Sequence, residues 1–516
     1  MASIAMFCNI SILDQNWYYR LPSILASSFT IAFLLHYLIR RFGRHHGRDP
    51  PSPPGLPIIG HLHLIGASFP KSFQALACRY GPLIRVRLGS EAYLVASSSA
   101  VAEEILKTND ACFLSKFETG PTHFNIYRGT GFITGPHGDY WRFMRKLCVT
   151  RLFGGAQFDR FNSIREQELA KLVKSLMKWS EEGRACDLNV ELETLANNVV
   201  CKMVMRRRFL LSDLRCKEMR RMVSEIMDIA GKFGVNGLFG VLSKVDLFGY
   251  GRKLQEALWR YDDVMEEIMK DYEENSFGSS RTSGVEGEKD VMDILLETYR
   301  DENAQVKLTR KQIKHFIIEL LMASIDTSAA TLQWAMAELI NRPNIFKKLR
   351  EEIDSITGVN RLVKESDVEN LPYLRALVKE SLRLHTAAPM IPRECNQDCK
   401  INGFKVKSKT RVLINAYAIM RDPDMWEDPD KFMPERFLHG DDDDDFRFLP
   451  FGGGRRGCIG YTHVYMIMHT TMAALVQCFD WKVKDGEHVD IGVALGFTGA
   501  MTHPLLCYPT ARFHPF

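Results

Sequence analysis

The chain reads as one mainly α-helical domain with a small β subdomain, set behind an N-terminal membrane anchor. Three observations carry that reading. Apolar residues return at three- and four-residue spacing, with charged faces between them, in windows such as Ser163–Trp179, Arg252–Tyr272 and Leu371–His385, which is the period of amphipathic helices. One stretch alternates instead, Leu83–Ser97 around Gly89-Ser90, and predicts a β-hairpin. Leu21–Ile39 supplies nineteen mostly apolar residues, close to the roughly 20 that span a bilayer as a helix.

"RRFGRHHGR" (Arg40–Arg48) follows the apolar run at once. Positive charge on that flank predicts that it stays cytosolic and that residues 1–20 are lumenal. A cleaved secretory signal would carry its charges before the run and a small-residue cleavage site after it; here the cluster of charges lies after the run and no such site follows it. Residues 21–39 therefore read as a single-pass signal anchor. Residues 40–60 form a basic and proline-rich hinge, in which "PPSPPGLPIIGH" (Pro50–His61) reads as a stiff extended spacer. Residues 61–516 form the globular body.

Within that body the composition excludes several classes. A net charge of +4 and a pI near 8.3, with no concentrated basic stripe, argue against nucleic acid. The 12 cysteines are scattered without a CxxC, and only Cys395 and Cys399 lie close, too few for a disulfide framework or a tetrahedral zinc site. Glu274–Asp290 and His439–Asp445 read as solvated surface loops. No repeat is visible, and there is neither a Walker A loop nor a G-x-G-x-x-G between a strand and a helix.

One helix stands apart. Thr309 and Gln312 make a capping box and Pro343 ends the pattern, so about thirty residues run as one helix roughly 45 Å long. Between Glu319 and Glu338 its only formal charge is Asp326. A segment apolar on nearly every side is expected to be buried, where a carboxylate is either functional or bonded to a neighbouring hydroxyl such as Thr327 or Ser328; the helix alone does not choose.

Near the C-terminus, "FLPFGGGRRGCIG" places Phe451, Gly454, Arg456, Cys458 and Gly460 in the pattern FxxGxRxCxG. "KESLR" holds Glu380 and Arg383 as ExxR, "PERF" adds Arg436, "YWRFMRK" holds Trp141 and Arg145 as WxxxR, and "ASIDTS" spans Ala323–Ser328 on the long helix. With these in order along the chain, the sequence resembles a plant microsomal cytochrome P450. The resemblance implies the P450 fold, haem b (iron protoporphyrin IX), an endoplasmic reticulum membrane location with the catalytic domain cytosolic, and electrons from NADPH through a reductase. A reductase partner agrees with the missing nucleotide site, and a basic face on the cysteine side would favour its acidic domain.

By that resemblance Cys458 is the axial iron ligand, a thiolate that pushes electron density toward oxygen, with Phe451 beside it. Arg145, Arg393 and Arg456 are the candidates for the haem propionates, as fixed forked cations, with Trp141 on the face of Arg145. Glu380, Arg383 and Arg436 are implied to maintain the fold. Asp326 and Thr327 are the candidates for holding the water chain that delivers protons during oxygen activation.

Two positions depart from the pattern. Ser324 stands where the family has glycine, adding a hydroxyl to the pocket or narrowing it, and Ile459 stands where plant members have proline. Ser324, Ala388, Met390, Phe497 and Met501 are the substrate-pocket candidates, and their apolar segments suggest a large hydrophobic ligand. The implied activity is insertion of one oxygen atom from O2 into a plant specialised metabolite, a triterpenoid before a flavonoid or isoflavonoid, in one or several steps. An NADPH-independent isomerase or dehydratase and a non-catalytic haem-binding protein are the alternatives.

Overall fold

The computed structural model describes residues 49–117, 124–206, 213–236, 246, 248–278, 289–358, 361–438, 446–484, 488–492, 499 and 501–516, with residues 24, 27, 28, 30 and 31 of the N-terminal segment. The lumenal tail, most of the anchor and its basic flank, the acidic run 439–445 and most of the 274–290 loop lie outside the described residues.

In chain order, helix α1 (Phe69–Tyr80) leads into strands β1 (Leu83–Leu88) and β2 (Glu91–Ala96). Next come α2 (Asp139–Leu147), α3 (Asn162–Glu181), β3 (Cys186–Asp187), α4 (Leu188–Val204), α5 (Asp213–Asn236), α6 (Tyr250–Gly278) and α7 (Val291–Arg300). The long α8 (Arg310–Ile340) is followed by α9 (Pro343–Thr357) and α10 (Pro372–Leu384). The C-terminal third holds β4 (Met390–Glu394), β5 (Cys399–Ile401), β6 (Phe404–Val406), β7 (Arg411–Asn415), α11 (Tyr461–Cys478), β8 (Phe479–Lys482) and β9 (Leu506–Ala511). The expected helices at 163–179, 252–272 and 371–385 are α3, α6 and α10. Helix α6 runs on to Gly278, so the loop predicted from Glu274 begins at least five residues later.

The hairpin forms where the alternation predicts it, Leu88 pairing with Glu91 across Gly89 at φ +60°, a conformation that glycine adopts without strain. It joins β7 and β4 in a sheet of order β1-β2-β7-β4, with β2 and β7 parallel and the other pairs antiparallel. Phe73 of α1 closes one face over Ile84, Val86, Tyr93 and Leu413 as a small core separate from the main one.

The proline-rich segment is seated on this sheet. Pro51 O accepts from Arg85 N, and buried His61 bridges Pro53 O (2.8 Å) and Arg87 N (2.7 Å). The packed body therefore begins near residue 50.

Helix α8 starts at the Thr309–Gln312 capping box and crosses the main core. Among the described residues it is the one helix long and apolar enough to span a membrane, and Phe316, Ile317, Leu321, Ile325, Trp334 and Leu339 on it are all buried inside the protein.

Candidate active site

A cavity of about 350 Å³ lies between α8 and the loop that precedes α11. Cys458 sits on that loop and its thiol opens into the cavity. The loop is shaped by backbone bonds, Cys458 N to Phe451 O and Gly457 N to Gly454 O, both 3.0 Å. Gly454 has φ +67°, and a Cβ there would lie 2.4 Å from Leu106 O and 2.7 Å from Asp110 Oδ1, so glycine is required on both counts. Burial raises the Cys458 pKa; the Gly460 N–H, Arg145 and Lys116 oppose the rise.

Around the cysteine stand four cations that line the same cavity: Lys116, Arg145, Arg393 and Arg456. Arg145 on α2 donates to Gly457 O at 2.7 Å. Arg393 on β4 is 2 % exposed and donates to Pro392 O and Gly453 O. Arg456 donates to Leu114 O (2.6 Å), Phe132 O (3.2 Å) and Gly135 O (2.7 Å), and lies over the Trp141 ring.

Burial, with Arg393 and Arg145 adding repulsion, pushes Arg456 down to about 10. Burial takes Arg393 down to about 10 as well, and burial with both arginines takes Lys116 down to about 8. Crowded, desolvated cations of this kind fit a buried dianion. A thiol on one wall and a cation set for two carboxylates match haem.

Across the cavity α8 presents Ala323, Ser324, Thr327 and Thr331. The Ser324 hydroxyl donates to Leu320 O at 2.6 Å, Thr327 to Ala323 O at 2.7 Å and Thr331 to Thr327 O at 2.9 Å. The serine in the glycine position therefore spends its proton inside the helix. Asp326 is exposed rather than buried and does not line the cavity: one residue from Thr327 is a 100° turn of the helix, which carries the carboxyl toward Glu193 on α4. Surrounding protein and then Glu193 raise its pKa.

The sequence profile described as Cytochrome P450 matches residues 50–505. The chain belongs to the cytochrome P450 family. "Cytochrome P450 93A3" of Glycine max is 39% identical over 90% of this chain and 93% of its own length. "3,9-dihydroxypterocarpan 6A-monooxygenase" of the same organism is 39% identical, covering 90% and 94%, and its "Beta-amyrin 24-hydroxylase" is 37% identical, covering 91% and 94%. A solved zebra fish cytochrome P450 with abiraterone overlays at TM-score 0.74, covering 87% of this chain and all of that one, at 24% identity. This P450 is thus a monooxygenase of the plant type with the family fold, and the family implies haem.

Most of the sequence candidates gather at the cavity: Cys458, Phe451, Trp141, Arg145, Arg393, Arg456, Ser324, Thr327, Ala388 and Met390 line it, as does Ile459. Met501 packs on the main core and does not line it, and Phe497 lies outside the described residues. The triad is separate and buried: Arg383 grips Glu380 with two bonds (2.8 and 2.9 Å), Arg436 donates to the same carboxylate at 3.2 Å, and the two helix residues are 0% exposed.

Sequence reasoning missed Lys116, Phe132, Ile133 and Glu319. Lys116 and Phe132 sit in segments without a periodic pattern, and nothing marked them. Glu319 did carry a signal, a carboxylate on the buried helix.

Proposed function

We propose that this P450 inserts one oxygen atom from O2 into a triterpenoid, using electrons from NADPH delivered by a reductase at the endoplasmic reticulum membrane. The observation that favours a triterpenoid is the distal wall. Its three hydroxyls, on Ser324, Thr327 and Thr331, all donate to carbonyls of their own helix, and Ala323, Ala387, Ala388, Met390 and Leu320 surround them. A polyphenolic ligand placed there would find acceptors in these oxygens but no donor for its own carbonyl and ether oxygens, which would be buried unpaired at about 1–3 kcal/mol each, whereas a hydrocarbon skeleton loses nothing.

In this reading Cys458 would hold the haem iron and Arg145, Arg393, Arg456 and Lys116 would hold the propionates, with Trp141 and Phe451 lining the same cavity. Bound haem supplies the one-electron and oxygen chemistry. The chain's part is to bind, orient and protonate. The Thr327 oxygen, its proton given to Ala323 O, keeps lone pairs for a cavity water. Asp326 faces Glu193 outside the cavity, so this reading leaves the proton path to Thr327 and the cavity water. Glu380, Arg383 and Arg436 hold α10 to the backbone of residues 420–433, and residues 21–39 anchor the body.

The test is microsomal co-expression with a plant reductase, feeding β-amyrin and 3,9-dihydroxypterocarpan. The expected result is an NADPH-dependent gain of one oxygen atom on the triterpene. Oxidation of the pterocarpan alone would replace the substrate class, and turnover of a hydroperoxide without NADPH would support the isomerase alternative.

A further inference from the structure

Glu319 is 7% exposed, yet it stands outside the cation set and the proposed proton route. Its carboxylate accepts from three successive backbone amides, Phe132 N (2.7 Å), Ile133 N (3.0 Å) and Thr134 N (3.1 Å), and from the Thr134 hydroxyl (2.9 Å), with His315 Nε2 at 3.9 Å. Charge-assisted bonds of this kind are about twice as strong as neutral ones.

The same loop is gripped from its other side. Its carbonyls at Phe132 and Gly135 accept from Arg456, two residues from Cys458. The loop is closely folded: a Cβ on Gly135 would lie 2.0 Å from Gly131 O, and one on Gly131 would lie 2.6 Å from Thr134 Oγ1 and 3.0 Å from Glu319 Oε1. Between the two grips, the side chains of Phe132 and Ile133 line the cavity, the Phe132 ring braced edge-on by Phe316 at 5.5 Å.

We propose that Glu319 is a positioning residue for substrate selection: by holding the amides of residues 132–134 to α8, it sets how far Phe132 and Ile133 project over the haem, and so which carbon of a bound ligand faces the iron. This rests on reading the cavity as the haem and substrate chamber. The loop has no secondary structure of its own to hold it, so its position is set by the two grips, and the Glu319 carboxylate fixes its amide side. Displacements on the order of 1 Å suffice to change which atom reacts. Thr134, the hydroxyl donor to the same carboxylate, contributes to the grip.

The test uses the full haem-loaded chain as wild type, Glu319→Gln and Thr134→Val. Glutamine turns one acceptor into a donor facing backbone N–H groups, so amide exchange in a peptide covering 131–135 should quicken about tenfold while peptides from the rest of α8 stay unchanged. Two probes that ligate iron differ in reach: imidazole is compact, and 4-phenylimidazole adds a phenyl ring that extends further into the cavity lined by Phe132 and Ile133. The dissociation constant of imidazole should stay within about twofold and that of 4-phenylimidazole should move at least about fivefold.

Thr134→Val should shift both readouts in the same direction by less, and it decides the matter if Glu319→Gln does not fold. Unchanged exchange at 131–135, faster exchange throughout the protein, or equal shifts for both azoles would each overturn the proposal. The reduced CO spectrum of the wild type reports the haem reading separately.

Discussion

The guanidinium of Arg456 lies over the indole of Trp141, 4.4 Å from the ring centroid, and its nitrogens reach three carbonyls from two distant segments, at Leu114 and at Phe132 and Gly135. One side chain from the cysteine loop thus ties together the loop before α2, α2 itself and the strand-like segment carrying Lys116. Lysine has neither the planar face nor the fork. Arg456→Lys should cost on the order of 3 kcal/mol, from lost charge-assisted bonds and carbonyls left bare. Its Soret-to-protein absorbance ratio should fall with its melting temperature; a fully loaded, equally stable variant would remove Arg456 from this role.

Two glycines of the same motif should behave differently. Gly454 has φ +67° and a methyl group on its Cα would meet the Leu106 carbonyl oxygen at 2.4 Å, while a Cβ on Gly460 meets nothing within 4 Å. Gly454→Ala is expected to cost at least about 2 kcal/mol and to weaken the reduced CO band near 450 nm that the family name refers to. Gly460→Ala is expected to leave the stability of the protein nearly intact. Equal effects would mean that the loop's shape does not depend on the Gly454 conformation.

Glu380 lies between two arginines with no exposure of its own, and it also accepts from Met433 N at 2.8 Å. Glu380→Gln leaves Arg383 and Arg436 as buried cations without a counter-charge, at a cost of roughly 3–5 kcal/mol. Purified variant should be mostly haem-free or insoluble, read by haem content and by denaturant midpoint. A variant that loads haem normally and unfolds at the wild-type midpoint would show that Arg383's bonds to the Met420, Pro429 and Lys431 carbonyls are sufficient.

The parts of the site that could be read from the sequence are those where covalent spacing does the work. Trp141 and Arg145 share a helix face because they are four apart, and Cys458 and Arg456 share a turn because glycines bend it. The hairpin and the capped α8 were legible for the same local reason. What escaped depends on chain segments far apart in sequence: Lys116 meets Arg393 and Arg456 across hundreds of residues, and Glu319 meets a loop 185 to 187 residues earlier. Asp326 shows the opposite failure. An apolar run predicts average burial, but the phase of a single residue is set by what packs on each side of α8, and its side faces Glu193.

The bulky, polar start of α11 has a consequence for acid stability. His463 and His469 are buried, 6% and 8% exposed. Burial, with Arg165 near one ring and Arg375 and Lys379 near the other, pushes both down to about 4. In the unfolded chain each ring takes up a proton near its ordinary value of 6.5, so below that value the unfolded state binds protons that the folded state refuses. Stability contributed by the neutral rings is therefore present at neutral pH and lost as pH falls from about 6.5 to about 4, by about 2 kcal/mol per ring between pH 7 and pH 5. His469→Leu should flatten that acid limb by this amount without loss at pH 7, because the Nε2 of His469 has no hydrogen-bond partner. His463→Leu should flatten it equally but start lower, since His463 bonds Phe153 O at 3.3 Å and Arg165 at 3.4 Å. Denaturant titrations of the three proteins at both pH values check this, and parallel acid limbs would mean that neither ring stays neutral in the fold.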